Sequence, residues 1–158
     1  MDNVDKVDLS VIVTVVGGPT YLRNCLDKLI PQAQHRIVEV LVPYQSGTEG
    51  LKELIQKYPQ VSFIEIKSGS SVDNYKNYTK KHEIYDRGKS LGILTSRGEL
   101  IAFLDDQGVP APNWCEEIFA ANINSYGAVG GAIEQHGLEI VRTSFSEARS
   151  TRELLQGM

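Results

Sequence analysis

The chain has 158 residues, of which 41% are hydrophobic and 23% are charged. This length suffices for one domain with a substantial core, and the composition is typical of a globular protein. A formal net charge of −4 argues against nucleic acid or an anionic membrane as a partner. The N-terminal residues are unlike a signal peptide and no apolar run reaches membrane-spanning length, so we expect a cytoplasmic protein.

The first half of the chain alternates predicted strands with predicted helices. Continuous apolar, β-branched runs predict three strands, at residues 9–16, 37–42 and 61–66. The first intervening helix is expected to use Thr20 as its N-cap and to stop at Pro31. Pro43 should end the second strand, and the second helix should follow Ser46 and Glu49, which are spaced as a capping box. The order β-α-β-α-β predicts a parallel sheet with right-handed crossovers.

A long polar segment separates this half from the second. Residues 67–81 are longer than an ordinary connection, which indicates a functional loop or a disordered one. Beyond it the pattern predicts a helix at 82–96, a strand at 99–104, a helix capped by Asn113 and Glu116, and short strands at 128–133 and 138–141. We expect one domain at residues 1–143 and a helical tail at 144–158.

The cysteines and lysines allow only weak functional hypotheses. Cys25 and Cys115 lie far apart beside apolar residues, which favours buried free thiols over a disulfide or a zinc site. A basic cluster in the middle of the chain is either a solvated surface, the favoured interpretation, or a site for a phosphorylated ligand. Its members are Lys76, Lys80, Lys81, Arg87 and Lys89.

The clearest candidate site follows the predicted strand at 99–104, where Asp105 and Asp106 end an apolar run. Because an unpaired carboxylate is costly to bury, such a strand must deliver both side chains to a solvated edge. Ligands of open α/β sheets bind at the carboxyl ends of the strands. Adjacent carboxylates at that edge suit a divalent cation or the hydroxyls of a nucleotide sugar.

Three segments, in the same order along the chain, resemble the inverting glycosyltransferases of family 2. They are the strand and helix at 9–14 and 21–26, the segment 87–99, and the segment 101–106 with Pro110 and Trp114 after it. The second is similar to the family's Ala-Arg-Asn-x-Gly-Ile pattern and the third to its Asp-x-Asp region. The match corresponds to the nucleotide-sugar-binding half of a typical member. It implies a GT-A-like, Rossmann-type α/β fold, with a mostly parallel sheet and helices on both faces.

The resemblance also implies a chemistry, the transfer of a sugar from a nucleotide-diphosphate donor to an acceptor hydroxyl. Mg²⁺ or Mn²⁺ would neutralise the diphosphate, with Asp106 and Gln107 as metal ligands. Asp106 would otherwise contact the ribose, Asp105 would brace the turn, and Arg87 would lie near the base or phosphate. The full set implied for donor binding is Thr14, Val16, Tyr44, Arg87, Asp105 and Asp106.

Several positions depart from the family pattern. Gln107 replaces an aspartate and carries no charge, so we expect weakened cation binding. Tyr44 stands where the family usually has carboxylates that read the base, and it either stacks on a base or packs on its neighbours. The acidic residues after Gly131 lie in no recognisable motif for a general base, and His136 is interpreted as an exposed loop residue. Those acidic residues are Glu134, Glu139 and Glu147.

The sequence therefore leaves three functions open. A glycosyltransferase is favoured, although its acceptor half and general base are not identified. The alternative is a catalytically inactive GT-A-like binding or scaffold module. A nucleotidyltransferase-like protein is the least supported, because residues 17–19 match a glycine-rich phosphate loop poorly. An exposed sheet edge would in addition favour a homo-oligomer.

Overall fold

The computed structural model describes residues 7–33, 38–67 and 78–121, together with Ala128, Gly130 and Gly131, and of residues 78–82 it describes the backbone alone. Within these residues strands and helices alternate. The strands are β1 (Leu9–Thr14), β2 (Val38–Gln45), β3 (Ser62–Ile66) and β4 (Leu100–Asp105). The helices are α1 (Pro19–Ala33), α2 (Leu51–Lys57), α3 (Tyr78–Thr95) and α4 (Trp114–Ala120). The strands predicted at 128–133 and 138–141 and the tail at 144–158 lie outside the described residues, apart from the three isolated ones.

The sheet is parallel throughout, with the strand order β3-β2-β1-β4. Every residue of β1 is buried, so both faces of the central strand are covered. By contrast β4, at the end of the order, alternates between half-buried and exposed residues. Because the chain runs from β1 to β3 in one direction and then returns to the other side of β1, the topological switch point lies between β1 and β4. The predicted α/β class with a parallel sheet is confirmed.

Helices cover the two faces of the sheet in different ways. α3 packs on β1 and β2, and a Cβ atom added to its Gly92 would lie only 2.5 Å from Cγ2 of Ile12. The helix thus meets the sheet through a glycine, while Leu94 of the same helix is 83% exposed. α1 and α2 are joined by Asp27, which accepts hydrogen bonds from Lys57 and Tyr58. Right-handed crossovers place these two helices on the face opposite α3.

Two prolines do not interrupt the elements in which they lie, contrary to expectation. β2 continues through Pro43 to Gln45, because beyond Leu41 it pairs with β3 alone and one side of the strand needs no N–H donor. α1 continues through Pro31 to Ala33. Next to Pro31, the side-chain amide of Gln32 donates to the carbonyl oxygen of Lys28 at 3.0 Å and to that of Ala111 at 2.7 Å.

The predicted starts of the first two helices are also wrong, whereas α4 begins at Trp114, directly after the predicted cap Asn113. α1 begins at Pro19, whose missing N–H and fixed φ suit a first helical position, and Thr20 is already inside the helix. α2 is preceded by Gly50 in the left-handed conformation with φ 76°, and no side chain caps it. The capping box of Ser46 and Glu49 therefore does not form at this helix. The spacing of the two residues predicted the box, but the chain enters α2 through Gly50 in the left-handed conformation instead.

A network at the amino edge of the sheet ties three strands together. Glu39 accepts a hydrogen bond of 2.6 Å from Ser10 and forms an ion pair of 2.9 Å with Arg97. The backbone N–H of Arg97 also donates to Glu39, and that of Gly98 donates to the hydroxyl of Ser10. We call these four residues the amino-edge network. Because the residues that it joins start β1, lie in β2 and precede β4, it fixes the return of the chain after α3.

Residue contacts group the chain into two compact units, Met1–Cys115 and Glu116–Met158. The four strands and the first three helices belong to the first unit, and α4 crosses the division. The predicted boundary at residue 143 between domain and tail stays a prediction. In the part of the chain that the structure describes, no helix has the length and apolarity needed to cross a membrane.

Candidate functional site

The carboxyl ends of β1 and β4 meet at the switch point of the sheet. Thr14 and Asp105 are register partners there, and the Thr14 hydroxyl donates to Oδ1 of Asp105 at 2.7 Å. The phenol of Tyr85, from α3, donates to the same oxygen at 2.8 Å. Asp105 is exposed whereas Thr14 is buried. Both carboxylates were predicted to reach a solvated edge, and this is right for Asp105, which two hydroxyls orient, but wrong for Asp106, which is buried.

Asp106 has a different environment, being 1% exposed. Its Oδ1 accepts from the backbone N–H groups of Val16 and Gly17, and its Oδ2 accepts from those of Gly17 and Gly18, at 2.9 to 3.0 Å. These groups immediately precede α1, so the carboxylate also lies at the positive end of that helix. The resemblance implied that Asp105 braces this turn, yet in the structure it is Asp106 that holds the loop. Contact of Asp106 with a ribose or a metal stays a prediction.

A pocket of about 230 Å³ opens beside this cluster, at the carboxyl ends of the first three strands. One wall is the loop after β1, and another is the end of β2 from Pro43 to Gln45. α3 supplies Ile84, Tyr85 and Gly88. The described lining residues combine apolar surface with hydroxyl and backbone groups, and none of them is a carboxylate.

The predicted donor-binding residues divide between this pocket and other surfaces. Thr14, Val16 and Tyr44 line it, and the Tyr44 ring also meets Phe63 edge to face at 6.5 Å between centroids. Tyr44 therefore packs on a neighbour and faces the pocket at once. Arg87 is exposed and lines a different, apolar depression on α3 with Ile66 and Leu94. Its role in donor binding stays a prediction that this position does not favour.

Sequence reasoning missed Tyr85, which contacts Lys89 of the predicted basic cluster. The Lys89 ammonium lies 3.9 Å from the centroid of the Tyr85 ring and 5.8 Å from that of Phe103, within cation–π range of both. Among the described side chains of the predicted basic cluster, Lys89 contacts the tyrosine that donates to Asp105. Lys76 lies outside the described residues, as do the side chains of Lys80 and Lys81. Periodicity offered no signal for Tyr85, because its partner Asp105 is 20 residues away.

The residues present fit a divalent cation only together with a ligand that supplies oxygens. Within the described ranges, no group of three or more His, Cys, Asp or Glu side chains could hold a metal ion. Asp105 is exposed, while both oxygens of Asp106 are engaged by the loop. Gln107 is exposed, and its side chain lies close to Gly17. Mg²⁺ is commonly held by one or two carboxylates plus substrate phosphates, so one open carboxylate is compatible with such a site.

The cysteines do not contribute chemistry at neutral pH. Both are free and buried, as predicted. Burial, and secondarily the charge of Asp106, raises the pKa of Cys25 to about 12. Burial raises the pKa of Cys115 to about 11. Neither thiol is therefore a nucleophile for this pocket, because the reactive form is the thiolate.

The comparisons with known proteins agree with this arrangement. The model of a family described as "Glycosyl transferase family 2" matches residues 10–156. The chain belongs to glycosyl transferase family 2. It is 24% identical, over 110 residues, to a Bacillus subtilis (strain 168) protein named "Putative glycosyltransferase EpsH". That alignment covers 70% of this chain and 29% of the relative, so the match spans less than a third of that relative's length. The family 2 match includes every residue of the site described above.

Proposed function

We propose that this family 2 domain binds a nucleotide-diphosphate sugar at the switch point and transfers the sugar to an acceptor hydroxyl. The observation that carries the proposal is the oriented carboxylate of Asp105 beside a pocket whose walls come from three strand ends. Family membership is the second support. The candidates for a general base among Glu134, Glu139 and Glu147 lie outside the described residues.

The size and lining of the pocket favour the base and ribose as the portion that enters it. At about 230 Å³ it is smaller than the roughly 300–1,000 Å³ of sites that enclose a whole drug-sized ligand. Ile66, Ile84 and the Tyr44 ring supply apolar surface for a planar base. The hydroxyl of Thr48 and the backbone after β1 supply polar contacts. The diphosphate would then lie outside the pocket, on the side of Asp105.

A divalent cation on the diphosphate is part of the proposal. When bound, Mg²⁺ or Mn²⁺ would neutralise the leaving diphosphate as a Lewis acid. Asp105 would hold it, and Gln107 would contribute an uncharged oxygen at most. The one open carboxylate, with an amide in place of the family's second charge, favours cation binding that depends on the nucleotide.

A binding module without turnover is the second candidate. It is favoured by the sequestration of Asp106, which leaves Asp105 as the exposed member of the pair, and by the neutral Gln107. Both candidates bind a nucleotide, so donor binding is tested first and turnover separately. Only the glycosyltransferase, and not the binding module, is expected to transfer or hydrolyse the sugar and to release the nucleoside diphosphate.

The direct test is thermal unfolding with UDP, GDP, ADP, CDP or dTDP, each with and without MnCl₂. A ligand at 100 times its Kd stabilises the native state by about 2.7 kcal/mol, so at least one nucleotide with Mn²⁺ should raise the Tm. The matched control is MnCl₂ alone. No shift with any nucleotide at millimolar concentration contradicts the proposal for both candidates.

A further inference from the structure

Tyr85 joins the pocket to the exposed carboxylate. Its ring lines the pocket, and its hydroxyl lies 2.8 Å from Oδ1 of Asp105. Thr14, which also lines the pocket, donates to the same Oδ1 at 2.7 Å. Both hydroxyls belong to the pocket wall on which the proposed nucleotide-diphosphate sugar would lie. The orientation of the carboxylate is therefore set by residues that a bound nucleotide would touch.

The two bonds leave the other carboxylate oxygen available. Among the described residues no hydrogen bond to Oδ2 of Asp105 is found, and no Lys or Arg forms an ion pair with this side chain. The donors are neutral hydroxyls, so they fix the direction of the carboxylate without cancelling its charge. Lys89 packs over the Tyr85 ring, with its ammonium 3.9 Å from the ring centroid. A fixed, uncancelled carboxylate with one oxygen open is preorganised for a cation.

Asp27 provides an internal comparison. Its Oδ1 also accepts from a tyrosine, Tyr58, at 2.6 Å, and from a second donor. That second donor is the ammonium of Lys57 at 2.8 Å, so the charge of Asp27 is neutralised where it stands. Among the described residues, a tyrosine thus donates to Asp27, which is also ion-paired between two helices, and another donates to Asp105, which lies beside the pocket without an ion pair.

The geometry points to Tyr85 as a positioning residue that aims Oδ2 of Asp105 at the divalent cation of a nucleoside diphosphate. This inference rests on the proposed function. Tyr85 acts through Asp105 and does not itself contact the metal. Its ring is held by Lys89 and by the pocket wall, so the hydroxyl reaches Asp105 from a fixed position.

The experiment measures binding of the five nucleoside diphosphates by titration calorimetry, with MnCl₂ and with EDTA. In Tyr85→Phe the ring stays and the hydroxyl is lost. We expect the Kd with Mn²⁺ to weaken roughly tenfold, the size of one lost hydrogen bond to a charged group. Binding in EDTA should change by less than about twofold. Tyr58→Phe is the matched control, because it removes an equivalent bond away from the site, and its Kd should equal that of the wild type.

A double-mutant cycle separates positioning from a structural role. If Tyr85 acts through Asp105, Tyr85→Phe should weaken binding no further in the Asp105→Asn background. Should Tyr85→Phe not fold, Thr14→Val removes the other hydroxyl donor and carries the same expectation. The inference is overturned if Tyr85→Phe leaves the Kd with Mn²⁺ unchanged. It is also overturned if the substitution weakens nucleotide affinity equally in EDTA or equally in the Asp105→Asn background. In each of these cases, nucleotide binding by the wild type still upholds the proposed function. Failure of the wild type to bind any of the five overturns both.

Discussion

The two edges of the sheet use carboxylates in opposite ways. At the amino edge, Glu39 is neutralised by Arg97 and receives further bonds from Ser10 and the backbone. At the carboxyl edge, the loop before α1 donates to both oxygens of Asp106, whereas its neighbour Asp105 accepts from two neutral hydroxyls and, among the described residues, pairs with no cation. A carboxylate satisfied from within the chain stabilises the fold, whereas one that is oriented but not neutralised is prepared for a ligand.

The largest effect expected from this comparison is on Asp106. Asp106→Ala leaves the N–H groups of Val16, Gly17 and Gly18 without their acceptor, and we expect the free energy of unfolding to fall by about 3 kcal/mol. Urea denaturation measures it. Asp105→Ala is the control, because its carboxylate is exposed, and it should cost less than about 1 kcal/mol. Equal losses in the two variants would contradict the division of roles.

Gly98→Ala tests how tightly the amino edge is packed. An added Cβ would lie 2.4 Å from the backbone nitrogen of Ser10, which cannot move aside as a side chain can. We expect a loss of about 2 to 3 kcal/mol, typical of overpacking. Gly88→Ala, on the pocket wall, is the control. Its Cβ would meet side chains at 3.6 and 3.7 Å, an ordinary contact, so its stability should change by less than about 1 kcal/mol.

Glu39→Gln separates stability from binding. The amide keeps an oxygen for Ser10 but loses the charge that Arg97 faces, and we expect a loss of about 1 to 2 kcal/mol in denaturant unfolding. Nucleotide affinity should stay that of the wild type, because Ser10, the register partner of Glu39, lies four strand residues from Thr14, about 13 Å along β1 from the site. A Glu39→Gln variant that folds stably but loses nucleotide binding would break the proposed separation of the edges.

The smallest expected effect is on the pH dependence of stability. Burial raises the pKa of Glu39, but hydrogen bonds from Ser10 and Arg97 and the Arg97 charge lower it more, so the net pKa lies below the ordinary 4.5. A carboxyl with a lowered folded pKa stabilises the fold above its unfolded pKa. That contribution is lost as the pH falls below about 4.5 through the folded value. Tm measured from pH 6 to 3 should fall less in Glu39→Gln than in the wild type, and parallel curves would contradict this role.

The alternation of strands and helices could be predicted from the sequence because each element carries its own apolar pattern. The exposure of Asp105 at the end of β4 was predicted because an unpaired carboxylate is costly to bury, but the same argument was wrong for Asp106, which is buried with backbone N–H partners. The prolines predicted to end elements were a less dependable signal. Pro43 and Pro31 were predicted to end their elements, but β2 tolerates Pro43 because it pairs there with β3 alone, and α1 continues through Pro31. Such compensation depends on partners that no local window includes.

The different roles of Asp105 and Asp106 at the site could not be predicted from the sequence. Asp105 and Asp106 are adjacent and chemically identical, and only the path of the loop after β1, some 90 residues earlier, decides which one is buried. The bonds of Tyr85 to Asp105 and of Arg97 to Glu39 likewise join residues 20 and 58 positions apart. Periodicity predicts which face of an element is apolar. It does not predict which polar side chains meet across elements.

The comparison of the two edges can be measured in one experiment. In ¹H–¹⁵N spectra of the protein with a bound nucleoside diphosphate, substoichiometric Mn²⁺ broadens amide signals steeply with proximity. We predict that signals of Gly17 and Gly88, at the carboxyl edge, broaden first, while those of Glu39 and Gly98 keep their intensity. Broadening centred on the amino edge, or uniform broadening of all signals, would contradict the assignment of Asp105 and its pocket as the nucleotide site.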